Sequence, residues 1–137
     1  LGDIVEIKGT RGAYKGMNQL SPDELVKIAD VVMLDLPVVD GNTTDLSGDL
    51  SHLQGHYFTF TGVTISAINE DNYGNLTFTF TIGELTFPVR YDSRLAGSEA
   101  AAAHLKAFAE GATVDLHLVL GWYDGPQFLY QAVGNIT

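Results

Sequence analysis

Downstream of His56 the chain alternates apolar and polar residues in five separate runs, the period of half-buried β-strands. Phe58 and Phe60 share one face as far as Gly62, after which Val63 and Ile65 take over. The parity flips at a glycine, which predicts a β-bulge there. Leu76, Phe78, Phe80 and Ile82 alternate with Thr77, Thr79 and Thr81, a strand with a polar outer face. Leu85, Phe87, Val89 and Tyr91 follow across a tight Gly83-Glu84 turn. Ser98 to Ala109 is alanine-rich, with Ala101, Leu105 and Phe108 on one side and Gly111 as the stop, and reads as the one helix. Val114, Leu116, Leu118 and Leu120 then alternate into Gly121, and Phe128, Tyr130 and Ala132 form the last strand. The phenylalanines of these runs fall on the apolar parity and are assigned to the core.

Ahead of this unit lies a segment that echoes its end. Gly2-Asp3-Ile4-Val5-Glu6-Ile7 leads to Tyr14-Lys15-Gly16 and Gln19, as Gly111-Ala112-Thr113-Val114-Asp115-Leu116 leads to Tyr123-Asp124-Gly125 and Gln127. The offset between the two is constant at 109 positions up to the turn and 108 at the glutamine. Each copy reads as strand, glycine-containing turn and strand. Residues 1 to 20 therefore read as the closing hairpin of a preceding copy, or else as a hairpin that packs on this barrel as an extra layer. Ser21 to Leu25 suits a capped helical turn, whereas Val26 to Val32 is equally compatible with a strand. The stretch from Pro37 to Gln54, with Asp40-Gly41-Asn42-Thr43-Thr44-Asp45 and Ser47-Gly48-Asp49, reads as a turn-rich connector. The expected organisation is a hairpin with a short helix or strand over 1–30, a connector over 31–55 and a barrel over 56–137.

Three strands, a helix and two strands is the order of the OB fold, a five-strand Greek-key barrel. The Gly-x-x-Val strand start, the Tyr-x-Gly turn and the Gln of the final strand resemble the last hairpin of OB-like domains repeated in secreted and cell-surface bacterial proteins, some attached to nucleases. The resemblance implies a mainly β fold and an accessory role, with an extracytoplasmic or cell-surface location. It implies no particular chemistry, since OB folds host many unrelated activities.

Composition narrows the options. Seventeen acidic residues against seven basic ones give a formal net charge of -10 over 137 residues, which disfavours polyanion binding unless cations gather locally. The absence of cysteine excludes disulfides, thiolate metal sites and a cysteine nucleophile. No apolar run approaches the roughly 18 residues that would span a bilayer. The start at Leu1 suggests a processed product or a piece of something longer.

Ligands of OB folds usually meet the face of strands two and three and the loops joining strands one to two and four to five. Those loops are Asn69 to Asn75 and Gly121 to Gln127. Trp122, Tyr123 and Tyr73 offer rings for stacking, Asn72, Asn75 and Gln127 hydrogen bonds, and Arg90 a charge; Trp122 is equally suited to plugging the barrel end. His52 and His56 have helical ligand spacing in a segment that does not read as helix, and His104 and His117 have no predicted partner. Asp40, Asn42, Asp45 and Asp49 lack the glycine and glutamate of an EF-hand and leave calcium binding open. No Gly-x-Ser-x-Gly elbow or phosphate-cradling glycine loop is present, and Glu70-Asp71 lie adjacent in a loop. No catalytic residue, metal ligand or cofactor is assigned. The expected function is a non-catalytic OB-like binding or accessory module of a larger bacterial extracytoplasmic protein, partnered by neighbouring domains. The alternative is binding of single-stranded nucleic acid or oligosaccharide through the barrel-rim loops. The hairpin, with unpaired strand edges, also suits a swapped dimer.

Overall fold

The computed structural model describes residues 4–30, 37–95 and 98–137. Nine strands are described in chain order: β1 (Ile4–Tyr14), β2 (Met17–Ala29), β3 (Val38–Asp40), β4 (Tyr57–Ile65), β5 (Asn69–Glu70), β6 (Leu76–Ile82), β7 (Leu85–Tyr91), β8 (Thr113–Trp122) and β9 (Pro126–Leu129). The helix α1 spans Glu99–Leu105, between β7 and β8. Strands β4, β8, β9, β7 and β6 are neighbours in that order, and β6 returns to β4 through Thr64–Thr81 and Ile65–Phe80. The ring is closed. The chain is a mainly β protein built on a five-strand OB-like barrel with one helix between its third and fourth strands, preceded by a β-hairpin.

Closure depends on a short parallel contact, Val89 with Phe128 and Arg90 with Leu129. Phe128 sits at its centre, fully buried, with ring centroids 5.4 Å from Phe58, 5.2 Å from Phe60, 5.4 Å from Phe80 and 5.8 Å from Phe87. All four contacts are edge-on or nearly so, the geometry in which ring edges meet the negative faces of neighbours. Leu116, Leu118 and Leu120 of β8 fill the remaining interior.

The bulge expected at Gly62 is present. The register passes from Phe60–Leu116 to Val63–Val114, and Gly62 adopts φ +67°. The amides that leave the ladder are caught by side chains: Gly62 N donates to Asp115 Oδ1 at 2.8 Å, and Thr61 N to Asn42 Oδ1 at 2.8 Å. Both residues are exposed, and two polar side chains take the place of the missing ladder partners.

Residues 38–53, expected as a connector, contribute to this same unit. β3 pairs in parallel with β4, Leu46 and Leu50 enter the core, and Gly41 lies under Phe60 so closely that a Cβ would meet the ring at 2.1 Å. Their sequence is turn-rich because three carboxylates, Asp40, Asp45 and Asp49, each bind the amide two residues on. The turns and the two core leucines share one segment, so its polar composition does not place it outside the barrel.

α1 is shorter than its alanine-rich run, with Ala101 and Leu105 buried and Phe108 half-buried just beyond it. It is tethered from below by two tyrosines: Tyr130 Oη donates to Ala101 O at 3.0 Å, and Tyr91 Oη lies 2.7 Å from Ser98 Oγ. His104, expected without a partner, has Nε2 3.3 Å from Ile136 O and its ring edge-on to Phe108. His117 lies outward as expected, with its ring beside Tyr57.

The N-terminal hairpin is a two-stranded antiparallel ribbon, β1 with β2. No helical turn forms at Ser21–Leu25; the strand continues to Ala29, with a register shift beside Gly9 and Pro22. Every described residue of the ribbon except Met17 is exposed along its whole length. The part of the Val26 to Val32 run beyond Asp30 lies outside the described residues.

Truncating Phe128 to Ala removes the ring at which four others converge. The expected cost is about 3–5 kcal/mol, a large part of a typical domain's stability, read as a lowered urea midpoint. Tyr130 supplies a pH dependence. Its phenol is pushed up to about 12, first by burial and then by Tyr91. Because the folded value lies above the unfolded one, its contribution is complete below pH about 10 and is lost as pH rises towards 12, by about 2–3 kcal/mol. Tyr130→Phe is expected to flatten the fall in stability over that window while costing about 1–2 kcal/mol at neutral pH, since Ala101 O loses its donor.

Candidate functional site

The rim between β5 and β6 is organised by one carboxylate. Asp71 Oδ1 accepts Tyr73 N at 2.8 Å and Asn75 N at 2.9 Å, and Oδ2 accepts Asn75 Nδ2 at 2.8 Å. The Asn75 side chain, then its backbone amide and that of Tyr73, hold the Asp71 carboxyl below the usual range, with Arg90 adding a smaller effect. Asn75 in turn accepts Ser93 N at 3.0 Å, and Ser93 Oγ donates to Tyr73 O at 2.7 Å. The loop is thereby tied to the end of β7. Asn75 is 8 % exposed and spends its polar atoms inside this network, while Asn72 is exposed and Tyr73 projects with 83 % of its surface in water.

Tyr73, Asn75, Arg90, Ser93 and Arg94 line a shallow depression of about 370 Å³. Arg94 reaches back to Asp92 through Nε–Oδ1 at 2.9 Å and Nη2–Oδ2 at 2.5 Å, and holds that carboxyl far below its ordinary value. The guanidinium is thus partly neutralised, and Arg90 supplies the other charge.

The opposite rim has a different character. Trp122 is half-buried at the end of β8, and the turn of the N-terminal hairpin covers it. A Cβ on Gly16 would lie 2.7 Å from Cδ1 and Nε1 of the indole, so only glycine permits this approach, and its φ of +80° requires glycine as well. Around this contact Asp124 N donates to Lys15 O at 2.7 Å, Lys15 Nζ meets Asp124 Oδ2 at 2.9 Å, and Tyr14 packs edge-on to Tyr123 at 6.5 Å. Gln54 spans the junction, accepting Asn18 N at 2.9 Å and donating to Gly16 O at 3.0 Å. This rim is a joint between hairpin and barrel.

The seven residues singled out in sequence therefore divide. Tyr73, Asn75 and Arg90 share the depression, with Asn72 in the same loop. Trp122, Tyr123 and Gln127 lie at the other end of β7: the pairing of Phe128 with Val89 puts Pro126 abreast of Phe87, whereas the first loop lies beyond Tyr91. Between them the outer face of β6 and β7 presents Thr77, Thr79, Thr81, Thr86, Pro88 and Arg90, without an aromatic ring. Ser93 and Arg94 were not anticipated at the depression, although Asp92-Ser93-Arg94 is a turn signal. Lys15, Gly16 and Gln54 were not anticipated at the joint, and nothing local to Gln54 marks it.

No family model and no curated protein matches this sequence. Among the described residues no three His, Asp or Glu side chains converge to hold a metal ion, and no helix is long and apolar enough to cross a membrane. The acidic segment at 40–49 uses its carboxylates in its own turns; Ser47 and Ser51 hold Asp45 and Asp49 below the usual carboxylate range. Glu70, adjacent to Asp71 in sequence, pairs instead with Lys106 at 2.8 Å.

Gly16→Ala is expected to open the joint, because the methyl group meets the indole and the left-handed backbone is strained by about 1 kcal/mol. Trp122 emission should shift to the red. Gly48→Ala, where a Cβ meets nothing within 4 Å, should leave the emission unchanged.

Proposed function

We propose that the chain is a non-catalytic OB-like accessory module of a larger bacterial extracytoplasmic protein, and that its N-terminal hairpin is the element through which it engages a neighbouring domain. The observation that carries this is the hairpin's apolar face. Val5, Ile7, Leu20 and Leu25 fall on one side of the ribbon by pairing and alternation, flanked there by Lys27 and Arg11, with Ile7 45 %, Leu20 48 % and Leu25 63 % exposed. A two-stranded ribbon is marginal in water by itself, and exposed apolar side chains gathered on it support a surface made for contact. The ribbon is joined to the barrel at its tip through the contacts of Lys15, Gly16 and Asn18.

The rim depression supports a second reading, binding of a small polar or sugar ligand by Tyr73, Arg90 and Arg94. Base stacking is less well served. The indole of Trp122 is occupied by Gly16, the face of β6 and β7 carries threonines, and the net charge is -10.

Anisotropy titration of a labelled single-stranded oligonucleotide at low salt separates these readings. No binding up to about 100 µM is expected. A dissociation constant tighter than about 10 µM, weakened by salt and abolished by Tyr73→Ala, would replace the module reading with the nucleic-acid one. For the hairpin, Ile7→Lys and Leu25→Lys should leave barrel stability within about 0.5 kcal/mol of the parent while removing binding of apolar dyes.

A further inference from the structure

The two hairpins agree in pairing as well as in sequence. Ala13–Asn18, Gly12–Gln19, Arg11–Leu20 and Thr10–Ser21 of the first correspond to Trp122–Pro126, Gly121–Gln127, Leu120–Phe128 and Val119–Leu129 of the second. The one-residue change of offset falls inside the turn, where Lys15 (φ 51°) and Asp124 (φ 55°) take the same left-handed position. Side-chain parity agrees too. Val5, Ile7 and Leu20 stand where Val114, Leu116 and Phe128 are buried, while Gly9 and Arg11 replace Leu118 and Leu120.

In the barrel, β4 covers the outer edge of β8 and β7 covers that of β9, whereas among the described residues β1 and β2 pair only with each other. The occupant that fits the hairpin is therefore a pair of strands equivalent to β4 and β7. A second copy of this chain has those edges already filled by its own β8 and β9.

The contact between the tips joins residues to their own equivalents. Tyr14 meets Tyr123, Lys15 Nζ meets Asp124 Oδ2, and Lys15 O accepts Asp124 N, each pair 109 positions apart. These contacts bring the two equivalent turns together, while Gly16 on Trp122 and the Gln54 bonds are made in one direction alone among the described contacts. Identical tips would place like charges together at this point, so the Lys15–Asp124 difference favours the unlike pair.

We infer, building on the module reading above, that the hairpin is the last strand pair of a second barrel of the same kind, supplied upstream in the parent polypeptide, and that the two barrels meet tip to tip, with Lys15 and Asp124 selecting which tips meet. The upstream barrel provides the strands equivalent to β4 and β7, and its core covers Val5, Ile7 and Leu20.

Two measurements test this. In the first, residues 38–110 are fused ahead of Gly2 in the full chain, so that the hairpin receives the strands it lacks together with β3, Leu46 and Leu50, and amide exchange is followed along β1 and β2. Slowing by about 100-fold or more, towards the rates of β8 and β9, in a monomeric species is expected. Unchanged exchange with the added segment unprotected overturns the occupant, and so does self-association through the hairpin faces; either leaves a neighbour of other chemistry open under the module reading. The second uses the chain as it stands and does not depend on the fusion folding. Lys15→Asp and Asp124→Lys should each speed exchange of the Asp124 amide by roughly three- to tenfold, and the double swap should restore it to within about twofold. Single swaps without effect, or a double swap as loose as the singles, overturn the charge-selected pairing. An oligonucleotide bound tightly in the titration above would count against the module reading instead.

Discussion

Everything else in the barrel depends on how Phe128 closes it. β9 is four residues long and meets β7 through two register pairs, so its main-chain hydrogen bonds alone make a weak seam. The ring of Phe128 joins aromatic side chains from β4, β6 and β7 in one cluster, and that buried apolar surface holds the seam shut. A sheet without a closed seam leaves two edges open to other chains, and closure removes them. Two residues further on, Tyr130 passes its hydroxyl to the helix, so the same short segment sets both the closure and the position of α1.

The hairpin shows the opposite balance. Its two strands make a longer ladder than β8 and β9 do, yet none of their side chains joins the core. At its turn, Gln54, Lys15 and Asp124 make directional polar contacts beside the Gly16–Trp122 and Tyr14–Tyr123 packing, and these orient the ribbon without burying it. Exposed ion pairs of this sort contribute little stability, and their value lies in fixing geometry. The result is a rigid barrel carrying an apolar strip on an oriented arm.

Much of the barrel was legible because its strands are half-buried and so alternate strictly. The Phe60–Gly62–Val63 break named a bulge, since that position answers to local backbone rules, whereas Gly111, read as the helix stop, lies beyond a helix that already ends at Leu105 and instead donates its amide to Ile65 O. Leu46 and Leu50 escaped notice because they sit singly among turn residues, where periodicity has no run to work on. The helix was overestimated for a related reason: alanine propensity continues past Leu105, but the tyrosine tethers and the packing of Phe108 decide where regular turns end. Ser21 to Leu25 looked like a cap because Ser, Pro and Asp serve both helix starts and strand bulges; pairing with β1 resolves it as strand.

The candidate site was legible in residue type and not in placement. A tryptophan followed by a tyrosine in a loop satisfies the requirements of a stacking platform and equally those of a joint, because both need a flat apolar face with a polar edge. What separates the two lies more than a hundred residues away in the chain, in a glycine whose missing Cβ lets a turn rest on the indole. Tyr73 shows the converse case. It was named from the same chemistry, and it projects into water beside Arg90, held out by a loop that Asp71 makes rigid. The depression at Tyr73 and the joint at Trp122 thus stand at opposite ends of β7, and the same residue chemistry is open to water at one rim and packed under a turn at the other.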